Sequence, residues 1–288
     1  MKPQVTPFFH TDSSTWTYVV RDPAGSACAI VDPVLDFDPK SGRTSTTSAE
    51  QVVDFIGKEG LSVEWILETH AHADHLSSGH WLKDRHYPAA RLAIGEGIRK
   101  VQKTFRPLFN LGEHFPVDGS QFDHLFTDGE TFRIGSLEGT VMAVPGHTND
   151  SVAYLVGDAL FAGDSIFMPD GGTARCDFPG GNAHTLFQSI QRMFALPEQT
   201  RVFVCHYYAP GGRAHACETT IGAEKTGNIH VKTGTSEEQF VAMREARDAT
   251  LAMPVLILPS IQVNIRAGNL PEPEANGQRY LKIPLDAL

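Results

Sequence analysis

Cysteine is scarce in this sequence. Its 288 residues include four, Cys28, Cys176, Cys205 and Cys217, and none forms a C-x-x-C pair. Two disulfides would add little to a chain this long, so the four read as free thiols and the expected setting is a reducing cytoplasm. Long apolar runs are missing too. No stretch approaches the roughly 20 residues that a membrane-spanning helix needs. The opening MKPQVTPFFHTDSSTW has no apolar core behind a basic start, so no signal peptide is expected. Positive charge is in deficit, with 24 Lys and Arg against 34 Asp and Glu, a net of −10. That balance argues against general nucleic-acid binding and against attachment to an anionic membrane. An anionic substrate stays allowed, because a site can be positive locally. No repeat, low-complexity block or clean linker interrupts the chain. With 41% hydrophobic and 20% charged residues, its composition is that of a folded domain rather than a disordered segment.

The apolar pattern outlines the elements. Thr15 to Val20 and Ala27 to Val31, joined by Asp22-Pro23-Ala24-Gly25, predict a β-hairpin. Leu35 to Thr46 is polar and reads as a loop. Thr47 and Glu50 fit a capping box for a helix over Ser48 to Lys58, with Val52, Val53, Phe55 and Ile56 on its apolar face. Val63 to Leu67 predicts a buried strand. A helix is expected from near Asp74 through Leu82, and another over Gly97 to Lys103. Short strands follow at Phe122 to Phe126, Thr131 to Ile134, Leu137 to Val144, Val152 to Val156 and Ala159 to Ala162. Leu186, Phe187, Ile190, Met193 and Phe194 mark a helix over Ala183 to Leu196, and Val202 to Cys205 predicts one more strand. A charged helix, Ser236 to Thr250, leads into a proline-rich tail. Strands cluster in both halves with helices after them. The pattern therefore fits two stacked sheets flanked by helices better than a regular βαβ series. The expectation is a single domain over 1–288, with about 210–288 as a C-terminal extension packed on it.

Histidine is the residue in excess, at 13. His70-x-His72-x-Asp74-His75 stands at the end of a predicted buried strand. Pro145-Gly146-His147-Thr148, Gly163-Asp164 and Cys205-His206 each follow another apolar strand. A rigid strand fixes the first side chain, and the loop beyond it turns further donors into one cavity. Neutral imidazoles with a carboxylate suit zinc, iron or manganese. On a helix, the adjacent Asp74 and His75 would point about 100° apart and serve different positions of the site. One histidine after a strand would mean little; four such elements in order form a constellation. His10, His80, His86, His114, His124, His184, His215 and His230 lack this context and are assigned to surface or packing.

This constellation resembles the metallo-β-lactamase fold superfamily over roughly residues 1–210. The resemblance implies an α+β fold, an αββα sandwich of two stacked mixed sheets flanked by helices, with a metal site at one edge of the sheets. In the dinuclear zinc hydrolases of that superfamily, such as glyoxalase II, one metal would take His70, His72 and His147. The other would take Asp74, His75 and His206, with Asp164 bridging. The segment after Asp164, MPDGGTARCDFPGG, is similar instead to the persulfide dioxygenase branch of bacterial sulfide oxidation, a group also described as β-lactamase-like hydrolases. Arg175, Asp177 and Phe178 match its R-x-D-F pattern, and the tail from Pro259 to Gly268 extends the likeness.

The branch resemblance implies one Fe(II) per chain held by His70, His147 and Asp164, surrounded by His72, Asp74, His75 and His206. Zinc belongs to the hydrolase alternative or enters as a substitute. The implied substrates are glutathione persulfide and O₂, and the products sulfite and glutathione. Arg175 is expected to contact a substrate carboxylate, the alternative being a structural ion pair with Asp177, and Tyr208 to line the pocket, the alternative being core packing. The tail's apolar run, Pro254 to Pro259, suggests either packing on the domain or an interface, the latter implying a homodimer or higher homo-oligomer. The chain departs from the family pattern at Asn149-Asp150, where many relatives carry Pro-Gly, and at Tyr207, where many carry Asp.

Overall fold

The structure is a computed structural model and describes residues 2–287. Its first half runs β1 (Gln4–His10), β2 (Thr15–Arg21), β3 (Ala27–Val31), β4 (Val34–Asp38), β5 (Arg43–Ser45), α1 (Thr47–Lys58), β6 (Ser62–Leu67), β7 (Leu76–Ser77), α2 (Gly79–Arg85), β8 (Arg91–Gly95), α3 (Ile98–Leu108) and β9 (His124–Phe126). The second half runs β10 (Thr131–Ile134), β11 (Leu137–Ala143), β12 (Val152–Val156), β13 (Ala159–Phe161), α4 (Ala183–Phe194), β14 (Arg201–Phe203), β15 (Glu218–Thr220), α5 (Ile221–Gly227), α6 (Glu237–Asp248) and α7 (Ile257–Asn264). One six-stranded sheet has the order β1-β2-β3-β6-β8-β9, the other β10-β11-β12-β13-β14-β15, and a small third sheet joins β5, β4 and β7. Both large sheets are mixed. In the first, β3, β6, β8 and β9 are parallel and the β1–β2–β3 ribbon is antiparallel; in the second, only β13 and β14 are parallel.

Strand alternation sets the layers. Trp16, Tyr18 and Val20 of β2 join Val141, Tyr154 and Phe161 of the second sheet in one core between the sheets. Val19 of β2 faces the other way, into a second core with Val52 and Ile56 of α1 and Val101 and Phe105 of α3. A period of two along a strand separates these faces. Along β6 the alternation slips once. The pairing of β3 with β6 shifts between Cys28 and Ala29, so Val63 and Ile66 both reach the helix side while Trp65 and Leu67 reach the inter-sheet core. On the far side of the second sheet, Leu186, Ile190 and Met193 of α4 are buried, and α6 packs against α4. The architecture is the expected αββα sandwich.

Several elements differ from the sequence expectation. Leu35 to Thr46 is not a loop: it contains the β4–β5 hairpin. The strand β1 has no clear apolar pattern, because Pro7 interrupts it. That proline is tolerated because β1 is an edge strand, paired only with β2. The capping box at Thr47 does not form. Thr46 is the N-cap residue of α1, and its hydroxyl donates to the Glu50 carboxylate at 2.8 Å. No helix starts at Asp74. Asn264 Nδ2 donates to the carbonyls of His72 and His75, both at 2.8 Å, which holds the segment in bends; the helix begins only at Gly79. The second half of the tail's apolar run, from Ile257, begins α7, with Pro259 in its first turn, where a missing N–H costs no helical bond. Among the described residues, no helix is long and apolar enough to cross a membrane.

Candidate metal centre

Each strand-terminal donor arrives at one edge of the sandwich. β6 delivers His70, His72, Asp74 and His75, the turn after β11 delivers His147, the turn after β13 delivers Asp164, and β14 delivers His206. The turn at His147 needs a glycine before it. Gly146 has φ 139°, and a Cβ there would lie 2.3 Å from the backbone of Leu186 in α4.

Every one of these imidazoles is held through one ring nitrogen. His70 Nδ1 lies 3.1 Å from Thr69 Oγ1, and His72 Nε2 lies 3.1 Å from Asp32 Oδ1. His75 Nδ1 faces the Leu76 carbonyl at 3.3 Å, and His206 Nδ1 faces Thr15 Oγ1 at 3.2 Å. His147 Nδ1 donates to the Arg175 carbonyl at 2.7 Å. The remaining nitrogens of four of them, His70 Nε2, His72 Nδ1, His75 Nε2 and His206 Nε2, are buried with no hydrogen-bond partner, as is Asp164 Oδ1. The donor atoms of His70, His147 and Asp164 all lie within 4.8 Å of one another, and so do those of His72, Asp74, Asp164 and His206. Dry polar atoms are costly, and so many in one place need a common partner. A metal ion meets that need, and the second nitrogen of each ring already has the support that metal-bound imidazoles require.

The electrostatics agree. Burial pushes His70 and His72 well below the usual imidazole range and His75 down to about 4, so these rings are neutral and keep a lone pair for a metal near pH 7. Burial raises Asp164 to about 6. Burial works against the ionised form of Asp74 too, but the imidazoles around it, His206 foremost, outweigh it and hold the carboxyl low. For His206 burial is outweighed by the carboxylates of Asp164, Asp74 and Asp32, which raise it. Burial disfavours the thiolate form of all four cysteines, pushing Cys28 and Cys176 up to about 12, Cys217 to about 11, and Cys205 well above its usual value.

Three supports were not read from the sequence. Asp32 accepts from Thr69 N at 2.7 Å and Thr69 Oγ1 at 2.9 Å, besides meeting His72. It follows an apolar strand as the other donors do, but Pro33 after it reads as a strand stop. Asp150, one of the two departures after His147, is buried and accepts from Ala71 N, between His70 and His72, at 2.8 Å. The third support comes from α6. Arg244, itself buried, donates to Asp248 and to the Thr173 carbonyl, and Asp248 accepts from Cys176 N at 2.8 Å. The loop so clamped carries the Arg175 carbonyl that holds His147.

The donors open into a cavity of about 1310 Å³. Its wall includes Tyr208, which is 62% exposed, its ring 6.0 Å from that of His206 at an interplanar angle of 10°. Arg175 also lines the cavity, but its guanidinium is committed within the chain. Nε and Nη2 each donate to Asp177 at 2.6 Å, and Nη1 donates to the Ala252 carbonyl at 2.6 Å. The carboxylate expected from a substrate is therefore supplied by Asp177. Arg43 and Arg247 line the same cavity, with no carboxylate in ion-pair distance among the described residues. Tyr207, the other departure, is buried with its hydroxyl 3.2 Å from Asp170, away from the donors.

Comparison with known proteins agrees with the geometry. The family model described as the metallo-beta-lactamase superfamily matches residues 10–206. The chain is 52% identical over 286 residues to the beta-lactamase hydrolase-like protein of Xylella fastidiosa, covering 99% of this chain but 65% of that protein, so it spans about two thirds of that relative's length. It is 25% identical over 264 residues to the mitochondrial persulfide dioxygenase ETHE1 of Bos taurus, covering 90% of this chain and 87% of that protein. Among solved structures it is similar to ETHE1 from Myxococcus xanthus, with a TM-score of 0.73 and 29% identity, over 93% of this chain and 100% of that one.

Proposed function

The chain belongs to the metallo-β-lactamase superfamily, and on that premise we propose that it is an iron(II) persulfide dioxygenase acting on glutathione persulfide. One observation carries this reading: a single oxygen of Asp164 faces two imidazoles at once. Oδ2 faces the Nε2 atoms of His70 at 3.7 Å and His147 at 3.6 Å, whereas Oδ1 faces His206 at 3.3 Å. His70, His147 and Asp164 thus form a two-histidine, one-carboxylate set on one side of the carboxylate, the ligand type of mononuclear iron oxygenases. The similarity to the bovine persulfide dioxygenase supports the same assignment.

Bound there, iron would supply redox chemistry toward O₂ and affinity for a persulfide sulfur. The protein's own part is placement. Asp32 and Asp150 fix the segment bearing His70 and His72, and the α6 clamp fixes His147. Arg43 and Arg247 offer free guanidinium groups to the carboxylates of a glutathionyl group, and Tyr208 lines its path. Neutral His70 and His72 withdraw no lone pair into protonation at pH 7. In the overall reaction one persulfide, one O₂ and one water give one thiol and one sulfite with release of two protons.

A second reading, a dinuclear zinc hydrolase of glutathione thioesters, is favoured by one observation. His206 meets Asp74 at 3.2 Å and shares a donor group with His75, and both imidazoles keep an Nε2 with no hydrogen bond. Anaerobic metal analysis with an oxygen electrode decides between them. One iron per chain and O₂ uptake with glutathione persulfide support the dioxygenase. Two zinc ions, no O₂ uptake and thioester cleavage overturn it.

A further inference from the structure

Thr15 meets His206 through the backbone before it does so through the side chain. The two residues form an antiparallel bridge, Trp16 N donates to the Cys205 carbonyl at 2.7 Å, and Tyr207 N donates to the Ser14 carbonyl at 3.1 Å. This pins Thr15 Oγ1 at 3.2 Å from His206 Nδ1. The contacts then continue outward. Thr15 Oγ1 lies 2.6 Å from Ser13 Oγ, Ser13 Oγ lies 2.6 Å from His10 Nδ1, and His10 Nε2 lies 3.3 Å from Asp36 Oδ1. Asp36 is fixed in turn by Ser48 in the first turn of α1, whose N–H and hydroxyl donate to it at 2.9 and 2.7 Å.

The direction of this chain follows from its outer end. The backbone N–H of Ser13 donates to His10 Nδ1 at 3.3 Å, so Nδ1 is an acceptor and the ring proton sits on Nε2, toward Asp36. The Ser13 hydroxyl then donates to His10. The Thr15 hydroxyl donates outward to Ser13, either to Oγ at 2.6 Å or to the carbonyl at 3.4 Å. With its hydrogen turned away, Thr15 Oγ1 presents only a lone pair to His206, and His206 must place a proton on Nδ1.

We propose that Asp36, His10, Ser13 and Thr15 are positioning residues, a directional hydrogen-bond chain that fixes the tautomer and ring orientation of His206 in the metal centre. In this proposal His10 has a role beyond the surface or packing place expected from the sequence. The proposal rests on the reading that the donor cluster holds a metal. His206 is the donor that contacts both Asp74, at 3.2 Å, and Asp164, at 3.3 Å, so its orientation is felt by both carboxylates. The outer links, His10, Ser13 and Asp36, line the cavity, so the chain runs from the cavity wall to the metal centre.

The test uses the full chain loaded with zinc, which is diamagnetic, and two readouts. Nitrogen-15 NMR of labelled histidine follows the His206 Nδ1 proton and its exchange with water. Competition with a chelator gives metal affinity. Thr15→Val, Ser13→Ala and Asp36→Asn are each expected to speed that exchange at least about tenfold and to weaken zinc binding by about ten- to a hundredfold, and Thr15→Ser to restore both. If Ser13→Ala and Asp36→Asn leave the His206 proton as in the unmodified chain, the chain does not set the tautomer and the proposal is wrong, whatever Thr15→Val does. If zinc does not bind at all, the metal reading fails, while the exchange of the His206 proton in the three variants still decides the hydrogen-bond chain.

Discussion

Arg244 and Asp248 stand one turn apart on α6, both buried, with Nη2 2.6 Å from Oδ1. Neither touches a metal donor, yet together they bond the Thr173 carbonyl and the Cys176 amide on either side of Arg175. Breaking a buried pair leaves its other charge uncompensated. Arg244→Met should therefore cost about 3–5 kcal/mol in urea unfolding. It should also weaken metal binding, because the Arg175 carbonyl that receives His147 Nδ1–H loses its support. An unchanged metal affinity in the folded variant would show that the clamp serves stability alone.

Metal stoichiometry separates the two readings of the donor cluster. Asp164→Ala removes the carboxylate that faces His70, His147 and His206, and metal content should fall to a background level. His72→Ala should retain most of one metal equivalent if the ion sits on His70, His147 and Asp164. In a dinuclear centre it should lose a full equivalent. Elemental analysis of both variants reads the difference.

Substrate charge should be read by Arg247 and Arg43 rather than by Arg175. Arg247→Glu, on the cavity wall, should raise KM for an anionic persulfide roughly tenfold or more, in line with the loss of one hydrogen bond to a charged group. The metal content should not move. Arg175→Ala should behave oppositely, lowering stability and metal affinity first, because its guanidinium holds Asp177 and the Ala252 carbonyl. Equal effects of the two variants on KM would contradict this division.

Glu224 should make the fold less stable as pH rises. It is buried in α5, its Oε1 has no partner, and burial pushes it from its usual 4.5 up to about 8. Between those values the folded chain keeps a proton that the unfolded chain has released, so raising pH favours unfolding, by at most about 1.4 kcal/mol per pH unit. Below 4.5 both states are protonated, and above about 8 neither is, so the loss is confined to that window. Glu224→Gln should remove this slope, leaving the variant more stable relative to the parent at pH 8 than at pH 5. Thermal melts across that range would detect a slope that persists.

The metal donors were legible because each stands directly after an apolar strand, where a rigid element meets a loop. The same context marks Asp32, but its neighbour Pro33 gave that position a sufficient local explanation. Asp150 carried no such signal; its role depends on the Ala71 amide, 79 residues away in sequence. Asn264, Arg244 and Asp248 act through the C-terminal segment, and their partners are set only when that segment packs. His10 was hidden differently. Its strand contains Pro7, and its partners Ser13 and Asp36 lie on a turn and on a hairpin that reads as loop. Local pattern identified which atoms can bind a metal, whereas the groups that orient those atoms depend on contacts between distant segments.

The bridge between Thr15 and His206 joins the first sheet to the second at the edge where the donors meet. His70 and His72 come from one sheet, and His147, Asp164 and His206 from the other. An ion gripping both sets would therefore act as a clasp across the seam of the sandwich, adding its binding free energy to the cohesion of the two halves. Chelation would then loosen the seam, with the amino-terminal edge ribbon the first part to gain freedom, so metal supply would govern how long the folded chain survives as well as whether it turns over.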